Sequence, residues 1–218
     1  MPCDCGAVGL EEIFGDRTAR HEAKRFRKKG LTPRSKKLLD AVEREIPLAG
    51  ATSLEVGAGI GAATITMLKR GVARSRIVDA VPAYIAVAEQ LAAESGVADS
   101  LDLELGDYVE RAAQLPSFDI ILMDRVVCCY PVWQDLLAPA AAQAVRVIAL
   151  TYPRGTWWSR MGVAAINLTS RARRLAFRVH VHPPQEMQGL LRERGYRTRV
   201  AGHHGVWEIM VATRAPAV

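Results

Sequence analysis

The stretch richest in chemistry is Leu54-Glu55-Val56-Gly57-Ala58-Gly59-Ile60-Gly61. Alternating glycines let a backbone turn tightly and bring its N–H groups close to a ligand. A helix predicted from Ala62 directs its N-terminal N–H groups and positive dipole end at the same point. Glu55 adds a carboxylate acceptor beside that crevice. Asp79 follows Gly57 by 22 residues, at the end of the next apolar run. A carboxylate there can accept both hydroxyls of a ribose. Gly106-Asp107-Tyr108 closes a third run, where an acid can accept from an adenine amino group. Together these residues predict an adenosine-containing ligand at one edge of a sheet.

Such a site needs a sheet to hold it. Short apolar runs predict strands at residues 52–56, 76–80, 101–105, 119–123 and 145–151. Helices are predicted between them, at about 62–70, 83–95, 109–114 and 133–144. This alternation implies a parallel sheet covered on both faces. Two helices precede it over residues 17–46, broken at Gly30, Thr32 and Pro33. After it come a helical segment at 155–176, a helix at 184–194, and strands at 196–201 and 206–213 flanking His203-His204-Gly205 as a hairpin turn. The fold class is therefore α/β and Rossmann-like, with seven strands, mostly parallel, ending in an antiparallel hairpin. Residues 1–46 are read as a helical cap or lid and 47–218 as the ligand-binding domain.

Glu55-Val56-Gly57-Ala58-Gly59-Ile60-Gly61, Val78-Asp79-Ala80-Val81-Pro82, Leu105-Gly106-Asp107 and Phe118-Asp119-Ile120-Ile121 resemble the successive motifs of class I methyltransferases that use S-adenosylmethionine (SAM). The resemblance spans about residues 36–153. It implies a donor site made of Glu55, Gly57, Ala58, Gly59 and Gly61 at the methionine end of SAM. Asp79 with Ala80 would hold the ribose, Asp107 with Tyr108 the adenine, and Asp124 lies beyond them. The dinucleotide pattern Gly-x-Gly-x-x-Gly has Ala62 at its last position, which some NADP-type variants tolerate, but about fifty residues precede the motif here and the antiparallel finish is atypical of that class.

The acceptor side is less explicit. Met123-Asp124-Arg125-Val126-Val127-Cys128-Cys129-Tyr130-Pro131 follows the fourth strand, and the resemblance places this stretch beside donor and acceptor. Many relatives carry a His-His pair where Cys128 and Cys129 stand here. Asp124 and Arg125 are expected to form an ion pair shaping the pocket, and Tyr130 to put a hydroxyl near the acceptor. These three are the candidate catalytic residues. Cys128 and Cys129 are candidate substrate contacts, or small buried hydrophobes. With Cys3 and Cys5 they could also serve a soft thiol or metalloid acceptor. His180 and His182 alternate as on one strand face, and no metal site is assigned. Trp157 and Trp158 could stack on a flat or lipid-like acceptor and Arg154 could hold an anionic group. The Arg-rich segment they begin is similar in layout to an insertion of magnesium-protoporphyrin methyltransferases.

Charge is uneven. Residues 17–37 hold ten Lys or Arg against Glu22, and residues 154–199 hold ten Arg against Glu186 and Glu193. The rest of the chain is net acidic. Basic segments suit an anionic small molecule, RNA or an anionic membrane surface. No RNA-reading motif accompanies them, so nucleic acid ranks below a small-molecule partner, while the Trp-led segment suits peripheral membrane contact. No apolar run reaches the ~18 residues of a membrane span, and no secretory signal opens the chain, which predicts a cytoplasmic protein. The sequence sets no oligomeric state. The expected reaction is direct displacement of the SAM methyl by a small anionic acceptor, aromatic or lipid-like. Alternatives are an RNA-directed enzyme and a non-catalytic SAM binder. Asp79→Ala is expected to weaken SAM binding and leave the fold intact.

Overall fold

Two helices lead the chain: α1 (Asp16–Lys29) and α2 (Pro33–Glu43). The computed structural model describes residue 10 and residues 13–214. Gly30, at φ 66°, ends α1. Thr32 then caps α2, its hydroxyl accepting from the Ser35 N–H at 3.0 Å, and Pro33 opens the first turn with its φ already helical. Strands and helices alternate next: β1 (Thr52–Val56), α3 (Ala62–Lys69), β2 (Arg74–Asp79), α4 (Pro82–Glu94), β3 (Leu101–Leu105), the single turn α5 (Tyr108–Arg111), β4 (Phe118–Asp124), α6 (Trp133–Gln143) and β5 (Ala144–Pro153). The chain continues through α7 (Trp157–Ala172), α8 (Pro184–Glu193) and the hairpin β6 (Tyr196–His204) and β7 (Trp207–Arg214).

The seven strands lie in the order β3-β2-β1-β4-β5-β7-β6. Only β7 runs against its neighbours. The predicted fold class is the observed one. Side chains alternate between two cores, as a period of two requires. Leu54, Ile121, Met123 and Ile148 face Leu136, Leu137 and Met187 of α6 and α8. Ile120, Leu122, Val147 and Ala149 face Leu38, Leu39 and Val42 of α2 and Met67 of α3. Each fully buried Leu or Ile contributes about 1.5–3 kcal/mol, so the two cores dominate stability. The strand order reverses between β1 and β4, and a crevice therefore opens at their carboxyl ends.

Two local expectations change. His203 and His204 belong to β6, which bulges near Gly202, and the turn is Gly205-Val206 with Gly205 at φ 58°. Residues 175–183, read as strand-like around His180 and His182, are irregular. Among the described residues no helix is long and apolar enough to cross a membrane.

Candidate active site

A cavity of about 470 Å³ occupies the crevice at the strand ends. That volume is within the range of small-molecule sites. Its floor is the β1–α3 loop, its sides are the ends of β2 and β4, and α1, the start of α2 and α7 cover it. Arg27 of α1 grips Glu94 of α4 with two hydrogen bonds, 2.7 and 2.8 Å, which fixes that cover to the domain.

The three glycines serve different ends. Gly57, at φ 60°, passes close to the turn that follows β4: a Cβ there would stand 2.6 Å from Val126 Cγ2. Gly59, at φ 57°, borders the cavity, with no atom closer than 3.9 Å to a Cβ built on it. Gly61 lies outside the lining, and its Cβ would meet Ile77 Cδ1 at 2.8 Å, so it packs helix against strand. Glu55, Ala58, Asp79, Ala80 and Tyr108 also line the cavity.

Asp79 is 6% exposed. Its oxygens accept from the Gly59 N–H at 2.8 Å and the Val81 N–H at 2.9 Å, so this carboxylate shapes the loop as well as facing the cavity. Burial pushes its carboxyl up to about 6, against those two backbone donors. Glu55 accepts from the Thr64 N–H and hydroxyl at 3.0 and 2.5 Å, and burial raises it to about 7. Asp107 caps α5 through the Val109 N–H at 2.9 Å and accepts from the Tyr130 hydroxyl at 2.7 Å. Its side chain lies behind the cavity wall that Gly106 and Tyr130 form.

The expected Asp124–Arg125 ion pair is not formed. Asp124 pairs with Arg34, 90 residues away, through contacts of 2.8 and 3.1 Å. It also accepts from the Ser35 hydroxyl at 2.7 Å and the Thr151 hydroxyl at 2.6 Å. Burial by itself would raise this carboxyl; the Arg34 guanidinium and the two hydroxyls outweigh it and hold it below the ordinary range. The reason for the change of partner is local backbone. Arg125 adopts φ 67°, a left-handed conformation that costs a non-glycine residue roughly 1–2 kcal/mol, and its N–H is spent on Thr151. The Arg125 guanidinium forms no salt bridge among the described residues, and the residue lines the cavity.

Cys128, Cys129 and Tyr130 line the cavity too. Both thiols lie 3.5 Å from the Arg125 carbonyl oxygen. The hydrogen bond between them depresses the Cys129 thiol and raises that of Cys128. Burial and the Asp107 carboxylate push the Tyr130 phenol far above its ordinary value. His182 donates from Nε2 toward the Val127 and Tyr130 carbonyls at 3.1 and 2.9 Å, and His180 stacks on it at 5.8 Å. These histidines brace the Cys128–Tyr130 turn from behind. Cys3 and Cys5 lie outside the described residues. No cluster of three or more metal-ligating side chains occurs among the described residues.

Helix α7 turns Ser159, Val163 and Ile166 toward the cavity. Trp157, Trp158 and Arg154 do not line it: Arg154 stacks over Trp158 at 5.9 Å, and Trp157 is 72% exposed. A helix rotates about 100° per residue, so its opening tryptophans face away from the side that Ser159 buries. The Ser159 hydroxyl is buried at 2% exposure and has no hydrogen-bond partner among the described residues. Glu22, Arg34, Ser35 and Ser159 thus border the cavity without having been singled out in the sequence. The basic run at 17–37 was read as part of a cap or lid, with none of its residues assigned to the site, and a serine in a helix carries no signal.

Residues 54–150 match the family model described as "Methyltransferase domain". No curated protein matches the chain. Among solved structures, magnesium protoporphyrin IX methyltransferase from Synechocystis, with bound SAH, superposes with a TM-score of 0.68 at 17% identity, covering 94% of this chain and 98% of that one. An O-methyltransferase family protein from Burkholderia thailandensis gives 0.72 at 13% identity, over 95% of this chain and 63% of that one. An O-methyltransferase family 2 protein from Planctomyces limnophilus, in complex with apigenin, gives 0.67 at 20% identity, over 95% and 65%. Likeness at these identities is likeness of fold.

Proposed function

We propose an acceptor class for this chain, a SAM-dependent methyltransferase of class I: a small apolar molecule that offers one anionic oxygen to the donor methyl. The carrying observation is that the cavity holds a buried hydroxyl, Ser159, without a partner among the described residues and a guanidinium, Arg125, without an ion pair among them, between mainly apolar walls such as Phe26, Val163 and Phe177. A buried hydroxyl without a partner costs about 1–3 kcal/mol, which a ligand oxygen recovers. An unpaired cation at a cavity wall selects an anion for the same reason.

The residues present fit SAM. Gly59 leaves open space beside the cavity, and each Asp79 oxygen keeps a lone pair after serving Gly59 and Val81. In this reading the glycine loop and Glu55 hold the methionine end, Asp79 the ribose hydroxyls, and Gly106 with Tyr130, which Asp107 holds from behind, the adenine. Helices α1 and α2, from the segment before residue 46, form a cap over that site. When bound, SAM supplies a methyl group on a sulfonium leaving group. The chain's task is to align the acceptor oxygen with that methyl and exclude water, which can supply several kcal/mol of the barrier reduction. Arg125 and Ser159 orient the acceptor. An anionic acceptor needs no general base, and the Tyr130 phenol, its proton held by Asp107, is suited to positioning rather than proton removal.

Transfer of radiolabelled methyl from SAM to a panel of aryl and alkyl carboxylates, phenols and neutral amines tests this. Acids are expected to be methylated, with Ser159→Ala and Arg125→Gln each raising KM about tenfold while the SAH Kd stays unchanged. Turnover confined to amines, or variants with an unaltered KM, would reject the acceptor class. The two thiols on the wall favour a second reading, a soft acceptor such as a thiol or trivalent arsenic. Methylation of arsenite, lost in Cys129→Ser, would select it.

A further inference from the structure

Helix α7 has two faces. Ser159, Val163 and Ile166 line the cavity on one. On the opposite side stand Trp157 at 72% exposure, Met161 at 62% and Leu168 at 68%. At 3.6 residues per turn these three fall within roughly 40° of one another and form a continuous stripe. Exposed apolar side chains scattered singly need no explanation, but a stripe along a helix does. Nothing in the described structure packs on it.

Its charged border says what covers it. Arg160 and Arg171 run along one side of the stripe on the helix, and Arg173 and Arg174 follow at its end, all exposed. From residue 136 to residue 185 the sequence contains no Asp or Glu. The helix makes no salt bridge among the described residues. An indole, a thioether and a leucine beside arginines, without a single acid, match an interface that is apolar inside and anionic at its surface.

We propose that the outer face of α7 docks on an anionic lipid bilayer, lying in the interface plane with Trp157, Met161 and Leu168 inserted and the arginines on lipid phosphates. Residues 157–172 are too short and too charged to span a membrane, so the contact is peripheral. The docked helix holds the cavity cover, Val163 and Ile166, about one helix diameter, roughly 10 Å, from the lipid, so an apolar acceptor can reach the enzyme from the bilayer. The stripe lies outside the cavity, so its docking is testable whatever molecule is methylated.

The test is co-sedimentation of the full chain with sucrose-loaded vesicles of phosphatidylcholine alone or mixed with phosphatidylglycerol. Binding is expected to the anionic vesicles, weaker to the neutral ones, and reduced by salt. Met161→Ser with Leu168→Ser should lower the partition coefficient by about tenfold or more, and Arg160→Gln with Arg171→Gln should remove most of the preference for anionic lipid. An unchanged SAH Kd in both double variants shows that they are folded. Failure to bind anionic vesicles, or equal binding by the variants, overturns the proposal. So does a concentration-dependent dimer in sedimentation equilibrium that the Met161→Ser, Leu168→Ser variant abolishes, because the stripe would then be covered by a second copy.

Discussion

Replacing Asp79 separates two duties that one carboxylate performs. It is 6% exposed and accepts from the Gly59 and Val81 N–H groups at 2.8 and 2.9 Å. Each carboxylate oxygen has two acceptor sites, so one on each is left for a ribose hydroxyl. Asp79→Ala takes away all four. The two stranded backbone donors cost about 1 kcal/mol each, the low end of the range, since water in the cavity can reach them. At about 2–4 °C per kcal/mol for a chain this long, the apo protein should melt roughly 4–8 °C lower. Two lost hydrogen bonds to a charged acceptor, at about 1.5–3 kcal/mol each, should raise the SAH Kd by about 100-fold or more. Asp79→Asn keeps the volume and one acceptor oxygen, enough for one of the two backbone donors; it should recover about half of the lost melting temperature and still lose about tenfold in affinity. Differential scanning calorimetry of the apo protein and calorimetric titration with SAH measure both duties. If SAH affinity stayed within about threefold of wild type in both variants, the ribose assignment would be refuted. If only the alanine variant lost affinity, Asp79 would act by shaping the loop rather than by touching the ligand.

Two further results follow from the buried acids. Arg34→Met leaves Asp124 with only the Ser35 and Thr151 hydroxyls, at a cost of about 3–5 kcal/mol. Without Arg34 its carboxyl rises, so the melting deficit relative to wild type should be largest at neutral pH and shrink in acid; a deficit independent of pH would deny that the pair is electrostatic. Glu55, raised to about 7 by burial, keeps its proton in the folded chain at pH values where the unfolded chain has released it. Its contribution to stability is therefore present below about pH 4.5 and lost as pH rises through about 7, up to roughly 3 kcal/mol in total. Glu55→Gln should flatten that part of the stability–pH curve in urea titrations, and an unaltered curve would show that the carboxyl titrates normally.

Sequence alone determined the order of the elements, the sheet type and the position of the crevice at the strand ends. Those features are local: a period of two marks a buried strand, glycines mark a turn with positive φ, and a cap with proline marks a helix start. The ends of β1 and β3 and the break at Gly30–Pro33 were legible for that reason. The tertiary structure decided who pairs with whom. Asp124 has a cation next to it in sequence and takes one 90 residues away, because the left-handed turn at Arg125 leaves the neighbour unpaired while α2 carries Arg34 and Ser35 to the end of β4. It also decided which side of α7 faces the cavity, turning an unremarked serine inward and the conspicuous tryptophans outward. Spacing along a chain encodes which face of one element a residue shares with its near neighbours. What that face meets depends on how the elements stack, and that is set by the whole core.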